Sequence, residues 1–284
     1  MSDRAPACGL CELLLSNISP PYMESPYDSI GTTYDATRRA DSAICRALAE
    51  YVGAGREATF LDLGCGSGNY TCALAERGGN WHGIDSSSEM LEQAKTKSQQ
   101  VDWQRGSADA LPYPDGAFAG VICTLAIHHF RCLDSAFAEV FRVLNTGKFV
   151  VFTAFPEQMR NYWLCHYFPE MMARSIEKMP SQAVVLDAMQ CAGFTLQKVV
   201  LFHVTNELQD LFLYLGKGRP ELYLKALVRA NISSFATLCP AAELENGLSA
   251  LRSDLEDNRF PGIVQRYSET LWDYAYVIAH KAGG

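Results

Sequence analysis

The chain has 284 residues, of which 48% are apolar and 20% charged, and its formal net charge is −8. This length suits one large or two small domains, and the apolar share is ample for a packed core. The acidic balance and the lack of a dense Lys/Arg run argue against a nucleic-acid partner, because phosphate binding favours a basic face. No run approaches the roughly 20 apolar residues of a membrane span, and no leader-like apolar segment follows Met1, so we expect a cytoplasmic protein.

The ten cysteines are scattered along the chain, which favours reduced thiols over a disulfide framework. Cys8 and Cys11 form a C-x-x-C pair, but no second pair lies at the spacing of a zinc ribbon. We therefore predict no metal site, and a redox or metal role for this pair stays open as the alternative.

Strand and helix patterns alternate along much of the chain. Apolar residues at helical spacing predict a helix over residues 38–52, and strands alternate with helices from residue 58 onward. This order predicts an α/β fold: a Rossmann-like, doubly wound, mostly parallel sheet of seven strands with helical lid insertions. The predicted segments are an N-terminal arm or cap (1–37), a core (38–155), a helical insertion (156–180), a second part of the core with a helix and strand six (181–205), a helical lid insertion (206–265) and a final core strand (266–284).

The two insertions leave the predicted sheet beyond the carboxyl ends of its strands, which is where open α/β sheets bind ligands. The first insertion is rich in aromatic residues and methionines, including Tyr162, Trp163 and Met171. We expect the insertions and the arm to cover a substrate pocket.

The most informative motif spans residues 61–70. An apolar run over 59–63 predicts a buried strand, and Gly64, Gly66 and Gly68 follow before a helical stretch. Glycine permits a positive φ and lets a ligand approach the bare backbone, and the start of a helix offers N–H groups without partners. The pattern predicts a cradle for a nucleotide cofactor.

The next predicted strand, residues 81–85, ends in Asp85, 17 residues after Gly68. A carboxylate near this offset binds ribose hydroxyls in nucleotide-binding βαβ units. The segment Ser86–Glu89 is predicted to be a capping box that starts the next helix. Met90 follows in its first turn and would pack on an adenine ring or on the core.

Four segments in this order, within residues 58–152, resemble the class I S-adenosylmethionine (SAM) methyltransferases, in the ubiquinone/menaquinone-biosynthesis-like ("type 11") branch. They are the glycine turn, the Asp85 strand, a segment at 106–115 that resembles the adenine-binding loop, and a segment at 118–130 that resembles the region after strand four. The resemblance implies that the core binds SAM and that its methyl group moves in line to a small, partly apolar acceptor.

The resemblance also implies roles for individual residues. Asp62 would order the glycine loop near the amino group of the cofactor, and Asp85 would hold the ribose. Ser107 replaces the acid that is usual in this loop, so Asp109 or Ser107 would contact the adenine amino group. The expected cofactor-binding set is Tyr27, Tyr34, Arg38, Asp62, Gly64, Cys65, Gly66, Asp85, Ser86, Met90, Ser107, Ala108, Asp109, Thr124 and His129.

The candidate catalytic residues are His128, His129 and Tyr34. An imidazole at the end of strand four would suit a general base, since its unperturbed pKa lies near neutrality. The alternative is that the histidines only hydrogen-bond within their loop. Tyr34 would position the methyl group, and Arg38 would pair with an anionic substrate or the cofactor carboxylate, unless it is a solvated surface residue.

Other functions remain open at this point. The chain could be a non-catalytic SAM-binding protein, or a thiol or metalloid methyltransferase that uses Cys165 and Cys239. A nicotinamide oxidoreductase is disfavoured because Asn69 occupies the position where a dinucleotide motif has its third glycine. The sequence does not identify the acceptor or the oligomeric state.

Overall fold

A seven-stranded sheet forms the centre of the computed structural model, which describes residues 37–267 and 272–283. Its strands are β1 (Thr59–Leu63), β2 (Asn80–Asp85), β3 (Asp102–Arg105), β4 (Phe118–Thr124), β5 (Leu144–Thr153), β6 (Thr195–Phe202) and β7 (Tyr274–Lys281). The strand order is β3-β2-β1-β4-β5-β7-β6. β7 is antiparallel to both of its neighbours and the other pairings are parallel, so the predicted fold class is confirmed.

Helices cover the sheet and form the insertions. The α-helices are α1 (Ser42–Val52), α2 (Asn69–Ala75), α3 (Ser88–Lys97), α4 (Leu133–Val143), α5 (Pro156–Met159), α6 (Leu164–Tyr167), α7 (Pro169–Glu177), α8 (Gln182–Cys191), α9 (Ala226–Ala230), α10 (Ala241–Glu256) and α11 (Phe260–Arg266). Short 3-10 helices span Ile127–His129, Leu213–Gly216 and Pro220–Leu224, and a π-helical turn spans Ser234–Leu238. None of the helices in the described residues is long and apolar enough to cross a membrane.

The position of the ligand crevice follows from the strand order. β1 lies between β2 and β4, and the chain moves outward from β1 in opposite directions on its two sides. Such a switch point leaves a crevice at the carboxyl ends of the strands. β1 and β4 are mostly buried, as their apolar sequences predict for central parallel strands.

Two buried carboxylates attach the second insertion to the core. Asp41 caps α1 by accepting hydrogen bonds from the backbone N–H groups of Ala43 and Ile44, and its other oxygen accepts one from Gln209 N–H at 2.9 Å. Asp273 pairs with Lys217 Nζ at 2.7 Å. Such side-chain partners fix the lid segments relative to the sheet.

Two details of the sequence-based prediction are wrong. The first helix begins at Ser42 rather than at residue 38, because Asp41 is its cap. The capping box predicted at Ser86–Glu89 does not form. Ser87 is the cap of α3, since its Oγ accepts a hydrogen bond from Met90 N–H at 3.3 Å, and Glu89 therefore lies one position too early to complete a box.

The three glycines of the turn have different packing roles. All have positive φ, between +53° and +76°. A Cβ on Gly64 would lie 2.6 Å from Ala126 Cβ, and a Cβ on Gly68 would overlap the Trp103 ring. A Cβ on Gly66 would meet nothing within 4 Å. Gly66 is therefore the glycine that faces open space, whereas the other two allow close packing.

We expect Gly68→Ala to destabilise the protein by about 2–4 kcal/mol, because it combines a left-handed backbone with overpacking against Trp103. Denaturant unfolding would measure this change. Gly262→Ala is a suitable control, since Gly262 is an exposed residue of α11 with open space around a Cβ. The control should be neutral or stabilising by up to about 1 kcal/mol. Equal unfolding midpoints for Gly68→Ala and the wild type would contradict the packing account.

Candidate active site

A cavity of about 740 Å³ lies at the carboxyl ends of β1, β2 and β4, between the sheet and the lid. This volume is within the range of small-molecule sites. Tyr27 and Tyr34 lie outside the described residues. Every other residue of the predicted site lines the cavity: Arg38, Asp62, Gly64, Cys65, Gly66, Asp85, Ser86, Met90, Ser107, Ala108, Asp109, Thr124, His128 and His129.

The glycine turn and the end of β2 are joined by hydrogen bonds. Gly66 N–H donates to Asp85 Oδ2 at 2.8 Å, and Ser87 N–H donates to the other carboxylate oxygen at 2.9 Å. Gly64 and Cys65 N–H both donate to the Ile84 carbonyl. These hydrogen bonds fix the backbone of the glycine turn and the orientation of the Asp85 carboxylate.

Asp62 presents a buried carboxylate to the cavity. Its Oδ2 accepts a hydrogen bond from Thr71 Oγ1 at 2.6 Å, while Oδ1 has no hydrogen-bond partner among the described residues. Burial, and to a lesser extent the charge of Asp85, raises the pKa of Asp62 to about 7, although the Thr71 hydrogen bond opposes this shift. A buried acceptor without a partner is energetically costly and suits a ligand that brings a donor or a cation.

The segment after β3 forms the next wall. Ser107 and Ala110 pair in an isolated β-bridge, and Ser107 Oγ lies 3.5 Å from Asp109 N. Burial raises the pKa of Asp109, and the charge of Arg131 partly offsets this shift. Met90 contributes an almost fully buried side chain to the same region. This wall combines an apolar surface with hydrogen-bonding groups, a mixture that is typical of small-molecule sites.

His128 and His129 form a tilted ring pair after β4, with ring centroids 4.0 Å apart and an angle of 44° between the ring planes. Burial is the largest cause that lowers the pKa of both residues, and the Lys178 charge lowers it further. The pKa of His129 falls to about 4 and that of His128 lies well below its usual range. Both imidazoles are therefore neutral near pH 7, and His128 Nδ1 is buried without a hydrogen-bond partner among the described residues.

Arg38 links the lid to the core. Its Nε lies 2.5 Å from Asp210 Oδ1, and its Nη2 donates to Asp210 Oδ2 at 3.2 Å. Tyr70 Oη donates to the same carboxylate at 3.1 Å. The side chain of Arg38 is only 12% exposed, so it is not a solvated surface residue, and its charge is already compensated within the chain.

Sequence reasoning missed the lid residues that complete the cavity. Ser175, Lys178, Asp210 and Phe212 line it from the insertions. No local pattern distinguishes these side chains, because distant packing brings them to the site. Leu125, directly after β4, also lines the cavity with a φ of +55°, an unusual backbone conformation that no sequence signal marks.

The cysteines proposed for metalloid chemistry do not meet at this cavity. Neither Cys165 nor Cys239 lines it, and burial raises the pKa of each thiol to about 11. Within residues 37–267 and 272–283, no group of three or more His, Cys, Asp or Glu residues is arranged to hold a metal ion. The geometry therefore gives the thiol or metalloid alternative no support.

Comparison with known proteins identifies the family. A solved structure from Anabaena variabilis, described as a methyltransferase from an antibiotic biosynthesis pathway, is 31% identical and superposes with a TM-score of 0.78, covering 86% of this chain and 99% of that one. The chain belongs to the class I SAM-dependent methyltransferases. The family model described as "Methyltransferase domain" matches residues 61–152 of the chain. This region contains the segments that carry the sequence resemblance.

Two curated relatives match shorter regions of this methyltransferase-family chain. The uncharacterised methyltransferase YcgJ of Bacillus subtilis is 36% identical over 101 residues, which are 34% of this chain and 40% of YcgJ. The demethylmenaquinone methyltransferase of Thermus thermophilus is 28% identical over 172 residues, which are 50% of this chain and 76% of that enzyme. The alignment with YcgJ thus spans less than half of that relative.

The raised pKa of Asp62 predicts a pH-dependent stability. The folded state holds a proton on Asp62 up to about pH 7, whereas the unfolded state releases it near pH 4, so this residue lowers stability as the pH rises between these values. We expect Asp62→Asn to gain stability relative to the wild type over this interval, by an amount on the order of a few kcal/mol. Unfolding at pH 5 and pH 8 measures the difference.

Asp187→Asn is the control for this measurement, since Asp187 is an exposed residue of α8. It should leave the difference between the two pH values unchanged. A pH-independent difference between Asp62→Asn and the wild type would show that Asp62 is ionised throughout.

Proposed function

We propose that this chain binds SAM in the cavity and transfers its methyl group to a small, partly apolar acceptor. One observation carries the proposal: the buried Asp62 Oδ1, the bare backbone of Gly66 and the carboxylate of Asp85 line one end of the same cavity. Together they offer an acceptor for a cationic amino group, space against the backbone and a partner for ribose hydroxyls.

The residues present fit the cofactor. Asp62 would accept from the amino group of the methionine portion, and Asp85, whose oxygens are oriented by Gly66 and Ser87, would bind the ribose. The remaining expected contacts would hold the two ends of the cofactor: Ser86, Met90, Ser107, Ala108 and Asp109 at the nucleoside, and Gly64, Cys65, Thr124 and His129 at the methionine portion. Arg38 would contribute through the Asp210 pair, and Tyr27 and Tyr34 remain proposed contacts of the N-terminal arm.

When bound, SAM supplies an electrophilic methyl carbon on a sulfonium sulfur. The chain itself contributes orientation and a site shielded from water. The lid wall is largely apolar and includes Met159, Met179, Phe212, Leu213 and Leu238. This wall supports a partly apolar acceptor, and the two named relatives, one from an antibiotic pathway and one a demethylmenaquinone methyltransferase, support a small molecule.

The histidine pair suits acceptor binding better than proton removal. General bases are most effective when their pKa lies near the working pH. The pKa of His129 at about 4 is too low for this, and burial also lowers the pKa of His128 well below its usual range. We propose that the neutral rings hold the acceptor by hydrogen bonds.

Calorimetry with SAM and its demethylated product S-adenosylhomocysteine (SAH) tests cofactor binding. We expect one site for each ligand and none for NADH. Asp85→Asn should weaken binding at least about 10-fold, or ~1.4 kcal/mol, because one ribose hydrogen bond loses its charged acceptor. The exposed-site variant Asp187→Asn should bind normally. Binding of NADH without binding of SAM would refute the proposal, and SAM binding without label transfer to any acceptor would favour a non-catalytic binder.

The affinity for SAM should increase as the pH rises through about 7. Over this range Asp62 loses its proton, and only the carboxylate attracts the cationic amino group of the cofactor. Titrations between pH 6 and pH 8 would show this dependence, and Asp62→Asn should bind more weakly and largely without it. Tight binding at pH 6 that does not strengthen with pH would contradict this role of Asp62.

A further inference from the structure

The lid presents an unsatisfied hydroxyl and a cation to the cavity. Ser175, in α7, is 6% exposed, and its Oγ has no hydrogen-bond partner in the part of the chain that the structure describes. Lys178 follows directly after α7 and lines the same cavity, and no described carboxylate forms an ion pair with it. A buried hydroxyl without a partner is rare in folded proteins and indicates a place for a ligand.

The histidine pair lines the same cavity as these lid residues. The Lys178 charge contributes to the lowered pKa of both His128 and His129, after the larger effect of burial. His128 Nδ1 is likewise buried and without a hydrogen-bond partner in the described structure. Two elements distant in sequence thus bring unsatisfied polar atoms and one positive charge to the same cavity.

Charge is divided across the cavity. Asp62, Asp85 and Asp109 lie on the wall formed by the core, together with one cation, Arg131, so this wall is predominantly acidic. On the lid wall, the described charged residues are Lys178 and Asp210, and Asp210 is paired with Arg38. The lid therefore presents one positive charge, on the exposed Lys178, beside the apolar residues that line the cavity, and an anion is favoured there.

We propose that the acceptor is an apolar molecule with an ionised acidic oxygen, such as an enolate, phenolate or carboxylate, which Lys178 and Ser175 bind opposite His128. This inference rests on the proposed function. It also agrees with the lowered pKa of the histidine pair, because an oxygen that is already ionised has no proton for these imidazoles to remove.

The transfer step balances without a proton. The acceptor oxygen forms a bond to the methyl carbon while the bond between that carbon and sulfur breaks, and its electron pair stays on sulfur. The negative charge of the oxygen and the positive charge of the sulfonium cancel. The products are a methyl ether or ester and a neutral thioether.

Calorimetry on the full chain saturated with SAH tests the inference through binding alone. The probes are two matched pairs, 2-naphthoic acid with its methyl ester, and 2-hydroxy-1,4-naphthoquinone with its 2-methoxy ether. We expect at least one acid to bind at least about 10-fold more tightly than its neutral counterpart at pH 7.5, because only the ionised member pairs with Lys178.

Lys178→Met should abolish this preference while binding of the neutral probe and of SAH is unchanged, and Lys178→Arg should retain most of it. Ser175→Ala should reduce acid binding about 3-fold or more. Lys225→Met is the control, since Lys225 is an exposed lid lysine that does not line the cavity. It should bind every probe as the wild type does.

The outcomes separate this inference from the proposed function. If SAH itself does not bind, the proposed function fails. If SAH binds but no acid binds more tightly than its neutral counterpart, or if Lys178→Met keeps the preference, the anionic acceptor is refuted and the cofactor assignment stands.

Discussion

The hydrogen bond from Gly66 N–H to the carboxylate of Asp85 is the contact on which the site depends. It joins the turn after β1 to the end of β2, two parallel neighbours whose register pairs Leu63 with Ile84. Since parallel strands end at the same edge of a sheet, this pairing brings a bare backbone and an acid together at the mouth of the crevice. A bulkier residue at Gly66 would fill the open space that the turn presents.

Burial determines the protonation states around this contact. It raises the pKa of Asp62 and lowers the pKa of both histidines, so each of these three buried groups favours its neutral form. On our proposals, each ligand supplies the missing partner: a cationic group stabilises the Asp62 carboxylate, and an anionic acceptor neutralises Lys178. The same arrangement would align the two reactants between the mostly acidic core wall and the lid cation Lys178.

The core could be predicted from sequence because its signals are local. The apolar strand 59–63, the glycine turn and Asp85 occur in one short stretch of chain, and the fold follows from the alternation of strands and helices. The capping prediction was wrong because three consecutive serines offer three possible caps, and only the packing of α3 selects Ser87. Gly68 lies in the turn as predicted, but the reason for a glycine there is packing, since a Cβ would overlap the Trp103 ring. Ser175, Lys178 and Asp210 could not be predicted, because the lid places them through contacts between residues far apart in sequence.

The most direct test of the central claim is a crystal structure of the full chain grown with SAH. The account predicts that SAH lies in the cavity. Its amino group would be hydrogen-bonded to Asp62, its ribose hydroxyls would be hydrogen-bonded to Asp85, and it would pack against the backbone of Gly66. SAH bound elsewhere, or a glycine turn filled by the chain's own side chains in the presence of saturating SAH, would contradict it.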